Sequence, residues 1–131
     1  MGKIRVLLAD DHEMLLARVR WVRCEDFEVV GTVGDGRDAI AEVVRLDPDV
    51  LVIDISMPIL DGLQAASQLR RKGCRTRVVF LTVHEDQDYV DAAFAAGASG
   101  YVTKPHVTSD LAPAIREALN GRTYVSKSIK H

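Results

Sequence analysis

Sulfur is scarce in this sequence, with Cys24 and Cys74 the only cysteines. They form no CxxC pair, and no two of the four histidines stand at metal-ligand spacing. That excludes a disulfide framework and a zinc site built from thiolate and imidazole. Two isolated thiols point instead to reduced, partly buried side chains in a cytosolic protein. Long apolar runs are also missing. Nothing approaches the length of a membrane span, and the opening run from Ile4 to Ala9 is too short for a signal-peptide core. The expected location is therefore the cytoplasm, with no membrane partner. Basic excess is lacking too: 17 Lys and Arg against 19 Asp and Glu give a net charge of -2 and a pI near 6.1. A nucleic-acid binder would normally carry a basic surplus. There is no internal repeat, low-complexity stretch or change of composition to mark a second domain. At 131 residues the chain fits one domain, large enough to bury a core without metal or disulfide staples.

Short apolar bursts alternate with amphipathic stretches along the chain. Ile4 to Ala9 reads as a strand. Leu15, Val19 and Val22 follow at helical spacing, with Asp11 placed to cap that helix. Phe27 to Val33 reads as a second strand. Ile40, Val43 and Val44 mark a helix that ends before Pro48. Val50 to Ile55 is apolar except for Asp54, as suits a central parallel strand covered on both faces. Leu63, Ala66 and Leu69 make the next helix, and Val78 to Val83 the fourth strand. Val90, Ala93 and Phe94, then Tyr101 to Thr103, then Leu111, Ile115, Ala118 and Leu119 complete the series. Gly73, Gly97 and Gly121 stand where left-handed C-caps want glycine. Five β-α units predict an α/β fold, a doubly wound parallel sheet with helices on both faces.

In such sheets ligands bind beyond the carboxyl ends of the strands, where strand order reverses. Asp10 and Asp11 follow strand one, Asp54 ends strand three, Thr82 ends strand four, and Lys104-Pro105 follow strand five. Each has an ordinary explanation alone: a helix cap, a strand-end hydroxyl, a solvated lysine, a turn proline. Asp54 is harder to dismiss, because a carboxylate ending a buried strand needs a partner. Together, three carboxylates repel unless a cation lies between them, and an all-oxygen set suits Mg2+. Asp54 would then be free to attack phosphorus as a carboxylate nucleophile.

The ordered set of motifs resembles the receiver domain of bacterial response regulators, within them the NarL/FixJ (LuxR-type) class. Asp10-Asp11-His12, Val52 to Pro58 with Asp61-Gly62, Leu81-Thr82-Val83-His84, Ala96 to Tyr101 and Lys104-Pro105 fall in the family's order. The resemblance covers nearly the whole chain and implies a flavodoxin-like fold of strand order 2-1-3-4-5. It implies phosphorylation of Asp54 by a sensor histidine kinase. Mg2+, or Mn2+ in its place, would be held by Asp10, Asp11, Asp54 and the backbone carbonyl of Ser56, Asp10 acting through metal-bound water. Thr82 and Tyr101 match the switch pair and Lys104 the phosphate-pairing lysine. Pro105 follows a bond that is usually cis in the family, Pro58 belongs to the acceptor loop, and Gly62 permits the turn into the third helix. Residues 1–121 would form the receiver, with 122–131 a tail or the start of a linker. The class further implies homodimerisation on phosphorylation and transcriptional output through a DNA-binding domain outside these residues.

The sequence departs from that class in places. The stretch between Asp11 and Val29 is short, Glu13 replaces a usual proline, and Pro105 replaces a usual aspartate. His12 and His84 read as exposed loop histidines, Trp21 and Phe94 as packing residues. A stand-alone receiver acting by protein contact is the nearest alternative. A haloacid-dehalogenase-type phosphatase would need an acid two residues after its nucleophile, where Ser56 stands. An FMN carrier would need a Ser/Thr/Gly-rich loop where Asp10 and Asp11 stand.

Overall fold

A computed structural model describes residues 3–12, 26–127 and 129. The helix expected around Leu15 to Val22, with Trp21 and Cys24, lies outside the described residues. Six parallel strands form one sheet: β1 (Ile4–Ala9), β2 (Phe27–Val33), β3 (Val50–Ile53), β4 (Arg77–Thr82), β5 (Gly100–Thr103) and β6 (Tyr124–Val125). Four α-helices are described: α1 (Gly36–Leu46), α2 (Gly62–Arg71), α3 (Gln87–Ala95) and α4 (Val107–Leu119). The strand order is β2-β1-β3-β4-β5-β6. The expected order is therefore present, with one further strand at the edge, drawn from residues expected to be tail.

The apolar strands feed two cores, because successive side chains point to opposite faces. Leu7, Leu51, Ile53 and Phe80 pack on one side with residues of α1, α2 and α3. Val6, Leu8, Val52, Val79 and Leu81 pack on the other with Leu111 and Ile115 of α4. Each fully buried Leu, Ile or Phe contributes about 1.5–3 kcal/mol. That is why β1, β3 and β4 carry apolar residues at both parities. Phe94 packs against the first core, as expected. Val44 does not, being 63% exposed on α1. Ile40 and Val43 carry that helix's buried face.

Helix ends follow local chemistry. Asp61 and Gln64 form a reciprocal capping box at the start of α2. Gly73, Gly97 and Gly121 all have positive φ, as their placement predicted. Gly62 answers a different need. Its N–H donates to Ile55 O at 2.8 Å, and a Cβ there would overlap the Asp54 carbonyl oxygen. Only glycine lets α2 begin so close beneath Asp54.

Candidate functional site

Strand order reverses between β1 and β3, which are neighbours with Ala9 opposite Ile53. The residues that follow these two strands are Asp10 and Asp54. Their backbones stay in the sheet: Asp54 N–H donates to Ala9 O at 3.0 Å, and Asp10 N–H donates to Val33 O at 2.9 Å. Both carboxylates are thereby driven into the same corner. Each residue is only 2% exposed, so the repulsion between them needs an answer.

Lys104 supplies one. Its Nζ lies 2.7 Å from Asp54 Oδ2 and 3.1 Å from Asp10 Oδ2. Burial alone would lower the lysine's pKa, but the hydrogen bond to Asp54 and the attraction of Asp10 outweigh it, holding the ammonium above its ordinary range. The lysine begins a short 3-10 turn, Lys104–His106, that follows β5 directly. Pro105 sits in the first positions of that turn, and its preceding bond is trans, since no cis bond occurs among the described residues. The cis bond implied by the resemblance is thus not present. A continuous helical turn through Pro105 is compatible with proline's fixed φ at a helix start.

Around this buried trio lies a more exposed mouth. His12 N–H donates to Asp10 Oδ1 at 2.8 Å. The His12 Nδ1 lies 2.9 Å from Lys104 Nζ and 3.4 Å from Asp11 Oδ1. His12 is exposed as expected, yet it also faces the acidic cluster, which spacing alone did not show. Ser56 N–H donates weakly to Asp54 Oδ1, at 3.3 Å. A surface depression lined by Asp11, Ser56, Pro58 and Tyr89 opens beside it.

Thr82 and Tyr101 stand one step further back, and His84 joins them to the mouth. The Thr82 hydroxyl, fully buried, accepts from His84 N–H at 3.4 Å. Tyr101, also fully buried, donates its hydroxyl to His84 O at 2.8 Å. The His84 ring stacks on Tyr89, with centroids 4.0 Å apart, and meets Ser56 Oγ at 2.9 Å. His84 is therefore half-buried and engaged rather than a free loop histidine. No sequence signal marks this, since Ser56 is 28 residues away.

Asp10, Asp11, His12 and Asp54 offer ligand atoms all within 4.8 Å of one another. The fit to a hard cation has a specific mark. Asp10 Oδ2 is buried without a hydrogen bond, having only the Lys104 ammonium beside it. A buried carboxylate oxygen with no aligned donor is an unmet need that a cation coordinated by oxygens would meet.

Comparison with known proteins agrees with this geometry. Residues 6–116 match the family model of the response regulator receiver domain. The chain belongs to that family. This receiver domain is 37% identical over 128 residues to the uncharacterized transcriptional regulatory protein YvfU of Bacillus subtilis, covering 96% of the chain and 64% of YvfU. It is 37% identical over 121 residues to the transcriptional regulatory protein DesR of the same organism, covering 91% of the chain and 60% of DesR. The chain thus spans about three-fifths of the curated relatives it matches. Among solved structures, a LuxR-family two-component response regulator from Aurantimonas sp. SI85-9A1 superposes with a TM-score of 0.91 at 32% identity, over 98% of this chain and 93% of that one. The isolated receiver domain of RcsB from Salmonella enterica serovar Typhimurium, solved with phosphomimetic BeF3-, gives 0.87 at 26% identity, over 98% and 96%. Receiver domains are signalling modules that generally bind Mg2+ at an acidic pocket, and the aspartate cluster of this one could hold a metal ion. No described helix is long and apolar enough to cross a membrane.

Proposed function

We propose that this receiver domain accepts a phosphoryl group on Asp54 from the phosphohistidine of a sensor histidine kinase. The observation that carries the proposal is the buried pairing of Asp54 with Lys104 at 2.7 Å, beside an Asp10 oxygen that lacks a hydrogen bond. Asp10, Asp11, Asp54 and the backbone carbonyl of Ser56 would hold Mg2+, or Mn2+ in its place. That cation, when bound, neutralises charge on the carboxylates and on phosphoryl oxygens.

The chain's own residues account for the rest. An Asp54 carboxylate oxygen forms a bond to phosphorus as the phosphorus–nitrogen bond to the donor imidazole breaks. The donor ring, protonated on its other nitrogen, takes the electron pair of the broken bond and leaves as neutral imidazole, so no proton is needed from Asp54. Lys104 already lies against Asp54 and needs little movement to pair with a phosphoryl oxygen. The Thr82 hydroxyl, at the end of the neighbouring strand β4, would turn toward another phosphoryl oxygen. Its movement would loosen His84 N–H, and with it the carbonyl that Tyr101 binds. The loop after β4 and the start of α3 would then reorganise, biasing a two-state equilibrium. Pro58 and Gly62 shape the acceptor loop, and Pro105 begins the turn that carries Lys104.

The full output is expected to be transcriptional, in the cytoplasm, with a phosphorylation-favoured homodimer and a DNA-binding domain outside this chain. The relatives named as transcriptional regulators support this. The decisive experiment is intact-mass measurement after incubation with Mg2+ and a small phosphodonor or a phosphorylated histidine kinase. The wild type is expected to gain one phosphoryl group, labile to hydroxylamine, and Asp54→Asn none. Equal labelling of Asp54→Asn would overturn the assignment.

A further inference from the structure

The segment after α4 closes around a single carboxylate. Ser126 is 1% exposed. Its Oγ accepts from the backbone N–H of Thr103 at 3.1 Å and donates to Asp110 Oδ2 at 2.8 Å. The Tyr124 hydroxyl donates to the other oxygen, Asp110 Oδ1, at 3.0 Å. Backbone bonds align the strand: Tyr124 N–H donates to Ser99 O at 3.1 Å, and Ser126 N–H to Tyr101 O at 2.9 Å. Just beyond, Ile129 is buried and its N–H donates to Ser126 O at 3.1 Å.

Two features make this more than a covered sheet edge. First, β6 is only two residues long, pairing Tyr124 with Gly100 and Val125 with Tyr101. It ends before it can offer Thr103 a backbone carbonyl, so the Ser126 side chain serves the buried Thr103 N–H instead. Second, that N–H belongs to the residue immediately before Lys104. Asp110, in the first turn of α4, lies on the other side of the Lys104–His106 turn. The bonds from Thr103 to Ser126 to Asp110 therefore bracket the turn that carries the site's ammonium.

We propose that Ser126 and Asp110 are positioning residues for Lys104, and that β6 carries the state of Asp54 to the chain that follows. The proposal rests on Asp54 being the phospho-acceptor. Lys104 now faces two carboxylates. A phosphoryl group on Asp54 adds charge and acceptor oxygens that draw the ammonium to new partners. The backbone at Thr103 cannot follow freely, because doing so breaks the buried bond from its N–H to Ser126 Oγ. The clasp thus favours one placement of Lys104, and by linkage the placement of Lys104 favours or loosens the clasp. Tyr124 reports on the same bracket: burial first, then its bond to Asp110, raises its phenol pKa above the ordinary value.

The test uses the whole chain with acetyl phosphate and Mg2+, following the phosphorylation rate by intact mass and amide hydrogen exchange at residues 100–103 and 124–126. Ser126→Ala is expected to slow labelling by roughly fivefold or more, with Ser126→Thr restoring most of the rate. In the wild type, phosphorylation is expected to change exchange at residues 124–126 by about tenfold, a response lost in Ser126→Ala. Should Ser126→Ala not fold, Asp110→Asn and Tyr124→Phe preserve volume and carry the same expectation. A wild type labelled on Asp54 with exchange at 124–126 unchanged, and variants labelled at the wild-type rate, would overturn the proposal while leaving the acceptor assignment intact. A wild type that takes no label on Asp54 would overturn both.

Discussion

The hydroxyl of Tyr101 donates to the backbone carbonyl of His84 across 2.8 Å. One bond thus ties β5 to the loop that follows β4, the same loop whose His84 N–H donates to Thr82. Burial, followed by the negative charge of Asp54, raises the Tyr101 phenol well above its usual pKa. The folded state therefore favours the protonated phenol. The stability this contributes is fully present below the ordinary tyrosine value of about 10 and is lost as pH rises towards the folded value. In an alkaline titration followed by phenolate absorbance, Tyr101 is expected to ionise only as circular dichroism reports unfolding. Tyr101→Phe should remove that late phenolate and cost about 1 kcal/mol at neutral pH. Ionisation of all three tyrosines in a still-folded wild type would contradict this.

Lys104 occupies carboxylate oxygens that a divalent cation would also use. Lys104→Met should therefore have opposite effects on stability and on cation affinity. Without Mg2+, the buried Asp10 and Asp54 lose their counter-charge, and the variant is expected to be less stable by about 3 kcal/mol. With Mg2+, competition is gone, so calorimetry should find tighter binding than in the wild type. Stabilisation by saturating Mg2+ should likewise be larger in the variant. Weaker Mg2+ binding by Lys104→Met would show that the cation does not share these carboxylates. Asp11→Ala is the control that should weaken binding without exposing a buried charge, since Asp11 is exposed.

Ile59 stands at φ 70° and is 71% exposed. A β-branched residue in the left-handed region is strained by about 1–2 kcal/mol. Its exposed side chain returns little of that through burial. Ile59→Asn is expected to raise the denaturation midpoint by about 1 kcal/mol of stability, since asparagine tolerates this conformation. The neighbouring backbone bond from Leu60 N–H to Pro58 O should be kept, and with it the acceptor loop. A loss of stability in Ile59→Asn would mean that the isoleucine side chain is held by contacts worth more than the strain.

Much of the site is legible in the order of residues alone. In a parallel sheet every strand ends at the same edge, so the residue that follows each apolar run is placed by chain position. Asp10, Asp54, Thr82 and Lys104 are legible for that reason, and so are the strands themselves, whose apolar residues at both parities imply two covered faces. The family resemblance implied a turn role for Gly62, although its physical cause, the approach of α2 to the Asp54 carbonyl, was not legible. What only the tertiary structure decided are the contacts between edges and loops far apart in sequence. Lys104 reaches Asp54 across 50 residues, and His84 meets Ser56 across 28. Residues 122–131 lack apolar periodicity because a two-residue edge strand is too short to show any period. Its place is set by a buried serine, a carboxylate on α4 and a buried N–H on β5 that the serine hydroxyl meets, and none of these has a local signature. Side-chain alternation is a property of neighbouring residues and can be read along a chain, whereas the partner of a buried polar group is chosen only when distant segments meet.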